Sequence, residues 1–225
     1  MSATRIHLPR LTGSEMKRVG LAMSRVVRDS TETGEIVVAE EITSQAQLRY
    51  LLREGIFEAG EGKDVLVDRP ELAGADVDAL RALPDATLGR EFARFLDTEG
   101  ISLAGLRQPA DYTEGETESY LMQRIRQSHD LWHVLVGLGT QGHEEVLVHC
   151  FSIAQTGFPY SLAIIGLGSV KHMLLEGRFS TLTQLTRGAY RRGRDAEPLL
   201  GAYWERHWDQ PLDEVRRHFG IVPLN

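Results

Sequence analysis

The sequence predicts an all-α fold: a single-domain multi-helix bundle over residues 1–225. Three observations predict it. Apolar residues recur at helical spacing through most of the chain, and glycines and N-capping residues punctuate them at helix-sized intervals. The composition, 42% hydrophobic and 25% charged, supplies a sizeable core and argues against disorder. No internal repeat or low-complexity tract divides the 225 residues, a length that suits one domain.

Taken in order, "SEMKRVGLAMSRVVRD" reads as a first helix capped by Ser14. "TGEIVVAEEI" reads as a short strand or extended segment, because β-branched residues cluster in it. "SQAQLRYLLREGIF" reads as a helix capped by Ser44 and ending near Gly55. A further helix runs from Asp85 to about Thr98 and stops at Gly100. The polar stretch from Gln108 to Glu118 is the best surface loop. After it comes the longest helix, from Glu116 to Leu138, and then another from Gly142 to Thr156. "FPYSLAIIGLGSVKHMLLEGRFSTLTQLTRGAYRRGR" is a third helical region, interrupted near Gly166 to Gly168. Two last helices follow, broken at Pro211, which suits a first helical turn.

Charge and cysteine count narrow the function. A net charge of -7 leaves no basic footprint for nucleic acid, so none is expected as a partner. Cys150 is the single cysteine, which points to a reducing compartment and to a small buried hydrophobe. The longest nearly apolar run, Tyr160 to Val170, falls short of the roughly 20 residues a membrane span needs. Attachment at a membrane surface and a homo-oligomer are both compatible with an exposed apolar helix.

The chemistry concentrates in "HDLWHVLVGLGTQGHEE", His129 to Glu145. His129 and His133 are four apart, so one helical face carries both imidazoles, with Cβ atoms about 6 Å apart. Asp130 lies about 100° round the helix, where it reaches a shared ion from the edge or orients a histidine. Gly137, Gly139 and Gly142 permit a tight reversal, and a returning helix brings Glu145 to the depth of His133. Two nitrogens and one or two carboxylates at one point suit zinc, and also iron, manganese or cobalt. The same residues also fit hydrogen-bonded core histidines, with Glu144 and Glu145 as partners of a helix N-terminus. His143 falls in the turn. His149, four after Glu145, is assigned a supporting or surface role.

His129-Asp130-x-x-His133, eleven residues and then Glu145 resembles the signature of the ubiquinone (coenzyme Q) biosynthesis family named for the fourth COQ protein. "LGREFARFLD", "QRIRQSHDLWHVLVGLG", "QTGFP" and the ending "GRDAEPLLGAYWERHWDQPLDEVRRHFGI" resemble its other segments in order. The family core thus covers residues 85–221, while residues 1–60 match weakly. The resemblance implies a divalent metal, zinc above all, on His129, Asp130, His133 and Glu145, which would also be the catalytic residues. It implies an all-α fold with an apolar groove for a polyprenyl lipid. It further implies oxidative decarboxylation of a polyprenyl-hydroxybenzoate, with C1 carboxylate replaced by hydroxyl. The alternative it implies is a non-enzymatic lipid-binding scaffold with a structural metal. Partners would be the polyprenylated benzoate or quinone intermediate, other ubiquinone-synthesis proteins and a membrane surface. The expected location is the cytoplasmic face of a bacterial inner membrane, since "MSATRIHLPRLTG" is no convincing targeting segment. In a eukaryote it would be the matrix side of the mitochondrial inner membrane.

On the residues, "FPYSLAIIGLGSVKHMLL" is the candidate groove lining, and Arg191, Arg192 and Arg194 are candidates for lipid phosphates. Tyr203, Trp204 and Trp208 are expected to pack the C-terminal segment, with Glu205 and Arg206 in polar contacts. A His-Asp phosphohydrolase is disfavoured, since His7 is the only upstream histidine. A di-iron bundle is disfavoured because paired Glu-x-x-His motifs are lacking.

Overall fold

Helix ends in this chain are set by local chemistry that can be read residue by residue. The computed structural model describes residues 6, 10–28, 33–107, 111–166 and 179–224. In order these hold α1 (Gly13–Arg28), α2 (Thr33–Arg53), α3 (Gly60–Asp68), α4 (Val77–Arg81), α5 (Leu88–Glu99), α6 (Glu116–Val136), α7 (Gly142–Thr156), α8 (described over 160–166), α9 (Phe179–Asp195) and α10 (Leu212–His218). Four single 3-10 turns, Leu72–Gly74, Leu103–Leu106, Leu199–Gly201 and Trp204–Arg206, join them. Among the described residues there is no strand, only an isolated bridge between Thr87 and Pro211. The fold is the all-α domain predicted.

Several boundaries differ from the sequence expectation, each for a physical reason. Thr12, not Ser14, caps α1: its hydroxyl accepts the Glu15 N–H, and its own N–H donates to the Glu15 carboxylate at 2.6 Å. "TGEIVVAEEI" is not extended; it forms the first half of α2. Its carboxylates find their partners only on a helix: Glu35 pairs with Arg18 and Arg25, and Glu40 and Glu41 both pair with Arg126. Ser44 therefore lies buried inside α2 rather than at its start, and α2 equals α6 in length at 21 residues. Thr87 caps α5 by accepting the Arg90 N–H at 3.4 Å, so the helix starts three residues after Asp85. The first of the two expected C-terminal helices is replaced by two 3-10 turns. Side chains hold that stretch: Tyr203 N–H donates to Glu61, and His207 sits 2.9 Å from the same carboxylate. Pro211 stands just before α10 as its cap. The expected interruption at Gly166 to Gly168 falls mostly outside the described residues.

Helix α6 crosses two apolar clusters. Its first half packs Leu121, Met122 and Ile125 with Leu48, Leu51 and Phe57. Its second half packs Leu131, Trp132 and Leu135 with Phe92, Phe151, Trp204 and Phe219. Trp208 stacks on Phe92 with ring centroids 5.7 Å apart. The "QTGFP" turn joins these parts: the Gln155 amide donates to the Gly193 carbonyl and its oxygen accepts the Leu199 N–H. Gly193 lets α9 lie directly on α7, since a Cβ there would come within 2.4 Å of the Phe151 carbonyl oxygen.

The two clusters are bridged by one buried ion pair. Arg124, at 1% side-chain exposure, meets Glu205 at 2.7 and 2.9 Å and also donates to the carbonyls of Pro70 and Ala202. Removing one member leaves an uncompensated buried charge. Glu205→Ala is expected to cost about 3–5 kcal/mol in urea denaturation. The double change Arg124→Met with Glu205→Leu should recover most of that loss.

Candidate metal centre

The turn between α6 and α7 is built by groups that do not themselves face the site. Gly137 adopts φ +75°, the Leu138 N–H donates to the His133 carbonyl at 3.0 Å, and α6 closes three residues after His133. Glu144 accepts the N–H groups of Gly139 and Gln141, so it belongs to the turn and not to the site. Thr140 donates to Glu99, which ties the turn to the end of α5. Glu145, the fourth residue of α7, is thereby delivered to the histidines, as the sequence spacing predicts.

Nε2 of His129 and Nε2 of His133 lie 3.3 Å apart. The Glu145 carboxylate places one oxygen 3.5 Å from His129 Nε2 and the other 3.5 Å from His133 Nε2. A tetrahedral ion with bonds of about 2.0–2.1 Å has donor-to-donor edges of about 3.4 Å. The two nitrogens match such an edge, each nitrogen has a carboxylate oxygen near that distance, and one donor atom from each residue lies within 4.8 Å of the others, so the group could hold a divalent ion. His133 is fully buried, and its Nδ1 lies 2.8 Å from the Gly139 carbonyl. A carbonyl accepts only from a protonated Nδ1, so the neutral ring keeps its lone pair on Nε2, toward the ion position. Phe95 stacks against the same ring.

Asp130 stays outside this three-donor group and borders the adjoining cavity beside His129. Burial pushes its carboxyl above the ordinary range, and the nearby His129 and His133 offset part of that rise. His149 is buried, which excludes the surface role; its Nε2 lies 3.9 Å from Glu145 and its ring tilts toward His129. Burial, with repulsion from His129, pushes its pKa down to about 3, so it is a neutral imidazole. His143 is exposed in the first turn of α7. Cys150 is buried with its thiol pushed up to about 12, the inert small hydrophobe expected.

A cavity of about 200 Å³ opens beside the donors, lined among others by Glu40, Arg126, His129, Asp130, Trp132 and Ser152. Tyr160 forms part of its wall and also borders a second, apolar cavity of about 120 Å³ with Val19, Met23, Ala39 and Ile164. Of the candidate groove segment, Phe158, Pro159, Tyr160, Ser161, Ala163 and Ile164 reach these two cavities, and everything after Gly166 lies outside the described residues. The three arginines of "YRRGRD" diverge: Arg192 donates to the Pro223 carbonyl, Arg194 pairs with Asp195, and Arg191 is exposed. Sequence reasoning missed Arg126, Glu40 and Ser152. Ser152 was detectable, since Glu145, His149, Ser152 and Thr156 follow one face of α7 at spacings of four, three and four. Arg126 and Glu40 lie 86 positions apart and carry no local signal.

Comparison with known proteins finds relatives of this chain. Residues 10–225 match the family model described as coenzyme Q (ubiquinone) biosynthesis protein Coq4. The mitochondrial ubiquinone biosynthesis protein COQ4 homolog of Xenopus laevis is 36% identical over 191 residues, covering 84% of this chain and 66% of that protein. The mouse homolog is 32% identical over 221 residues, covering 96% of this chain and 81% of its own length. A crystal structure of a ubiquinone biosynthesis candidate from Nostoc punctiforme superposes with a TM-score of 0.71 at 25% identity, covering 91% of this chain and 97% of that one.

Burial alone would lower the His129 pKa, but pairing with Glu145 outweighs it and the metal-free value is raised. That proton stabilises the fold below the ordinary histidine range, and the contribution is lost as pH rises through the raised value. A metal ion needs the ring deprotonated. Zinc affinity is therefore expected to rise with pH across this window, with proton release on binding. Calorimetry in two buffers of different ionisation enthalpy reads both; pH-independent affinity would contradict the assignment of His129.

Proposed function

The chain belongs to the coenzyme Q (ubiquinone) biosynthesis Coq4 family and so to ubiquinone biosynthesis, and we propose that it is a metal-dependent enzyme that replaces the C1 carboxylate of a polyprenyl-hydroxybenzoate by hydroxyl. One observation carries the reading: three donors that could hold an ion come together, and one of them, His129, borders a cavity with Asp130 beside it. In this reading His129, His133 and Glu145 hold the ion, with Asp130 as a further carboxylate on the cavity side. When bound, the ion supplies Lewis-acid stabilisation of charge that develops as CO2 leaves. Zinc suits the donor set, and iron, manganese and cobalt suit it as well.

The chain's own residues do the rest. The Gly139 carbonyl holds His133 in one tautomer and one orientation. Phe158, Ile125 and Trp132 give the cavity apolar faces for an aromatic ring and exclude water from it. The prenyl tail passes Tyr160 toward the apolar cavity among α1, α2 and α8. No described helix is long and apolar enough to cross a membrane, and peripheral contact suffices to draw a prenylated substrate from it. Dioxygen is the oxidant: one of its atoms takes the place of the departing CO2 and the other leaves as water. The two electrons for that come either from the ring, which then leaves as the quinone, or from an external two-electron reductant, which leaves the ring hydroxylated. The partners are the prenylated intermediate and other ubiquinone-synthesis proteins.

The test pairs metal analysis of protein purified without chelator with an assay of CO2 release and hydroxylated product from the prenylated acid under oxygen. His133→Ala is expected to lower metal affinity by about 10–100-fold or more and to abolish turnover while the helical circular dichroism persists. If metal-loaded wild type binds the acid yet forms neither product, or if folded, metal-free His133→Ala still supports quinone formation, the chain is a scaffold whose metal staples a helix hairpin.

A further inference from the structure

Two buried hydrogen-bonding groups at the metal-side cavity have no partner among the described residues. Trp132 is 1% exposed, and its indole Nε1 has no partner among the described residues. Ser152 is 5% exposed, and its hydroxyl likewise has none. Buried polar groups are nearly always paired, because an unpaired one forfeits its hydration without return. These two come from different helices, α6 and α7, yet both line the single cavity that His129 and Asp130 border.

Their chemistry specifies the complement. An indole N–H only donates, so it requires an acceptor, and a hydroxyl can donate to that same acceptor. An ether, phenol or carbonyl oxygen meets this requirement, and an apolar group does not. Ser152 follows Glu145 by seven residues on one helix face, about 10 Å along the axis. That offset suits an aromatic ring whose acid end lies at the metal donors and whose further oxygen lies deeper. Val37, Leu106, Ile125 and Phe158 supply the apolar wall for the ring itself.

We propose that Trp132 and Ser152 form a recognition subsite for an oxygen substituent on the substrate ring, away from the carbon that faces the metal. The ligand's identity rests on the aromatic-acid reading above, whereas the subsite is tested by binding alone.

Calorimetry compares a geranylated 4-hydroxybenzoate with the plain acid, the geranylated benzoate that lacks the ring oxygen, on zinc-loaded wild type, Ser152→Ala, Ser152→Thr and Trp132→Phe. Wild type is expected to prefer the 4-hydroxy acid by about 10-fold, the worth of one net hydrogen bond. Ser152→Ala should erase most of that preference, leave affinity for the plain acid unchanged and keep its melting temperature, and Ser152→Thr should restore it. The serine series decides the matter if Trp132→Phe fails to fold. Equal binding of the two acids by wild type, binding of neither, or an equal loss for both in Ser152→Ala would overturn the subsite; an ordered water then satisfies these groups. A preference for the oxygen-bearing ring without CO2 release leaves the subsite standing and the decarboxylase reading fallen. Turnover without the preference does the reverse.

Discussion

Helix α6 must carry an arginine, a glutamine, a serine and a histidine through an apolar interior, and much of the surrounding chain is arranged to satisfy them. Arg124 takes Glu205 and two backbone carbonyls. Gln127 accepts the Ala73 N–H, and Ser128 donates back to the Arg124 carbonyl one turn earlier. At the helix end, Arg216 donates to the carbonyls of Val134 and Leu135, and the Leu224 N–H donates to Val136. Segments near residues 70, 204 and 220 thus close over one helix. Against an apolar substitute such a polar lining gains little net stability. Its effect is to fix the axial register and rotation of α6, and with them the direction in which His129 and His133 point.

The metal-side cavity depends on a second set of buried charges. Arg126 lies one turn before Asp130 and reaches Glu40 and Glu41 of α2 at 2.7 Å each. Both carboxylates are nearly inaccessible, and burial holds the Glu40 carboxyl above its ordinary range despite the guanidinium beside it. Glu41 also accepts the Tyr112 N–H, which anchors the approach to α6. Helix α2 is therefore fastened over the cavity by charge-assisted bonds, not by apolar packing alone. The fastening also explains why a β-branched stretch becomes a helix: only helical spacing turns Glu40 and Glu41 together toward Arg126.

The contrast between these two regions sets what was legible in the sequence. The α7 boundaries, Gly142–Thr156, and the meeting of His129, His133 and Glu145 follow from short-range rules: spacing of four along α6, glycines that permit the reversal, and a return of known rise per residue. The helical state of residues 33–42 did not follow, because its determinant is an arginine 85 positions away. The C-terminal stretch from Leu199 to Arg206 reads as helix by composition, yet Glu61 takes the Tyr203 backbone N–H, and Arg124 and Asp64 hold the Glu205 and Arg206 side chains, in two separate turns. Partners distant in sequence overrode propensity in each case. The cavity itself, whose wall combines α2, α6, α7 and α8, has no local signature at all.

The unequal surroundings of the donors bear on what a bound ion would do. His133 is sealed at 0% exposure, stacked under Phe95 and locked to Gly139, so it serves position alone. His129 and Asp130, one helical step apart, border the cavity instead. A purely structural ion is served best by four protein donors closing around it, as in structural zinc sites. Here three protein donors come together, and one of them, His129, borders a space walled by apolar residues and by two polar groups with no partner among the described residues. That asymmetry matches the open coordination position a reacting ligand needs. It favours the proposed enzyme over a metal that only staples the two helices as the reason buried polar groups are kept at this point in the core.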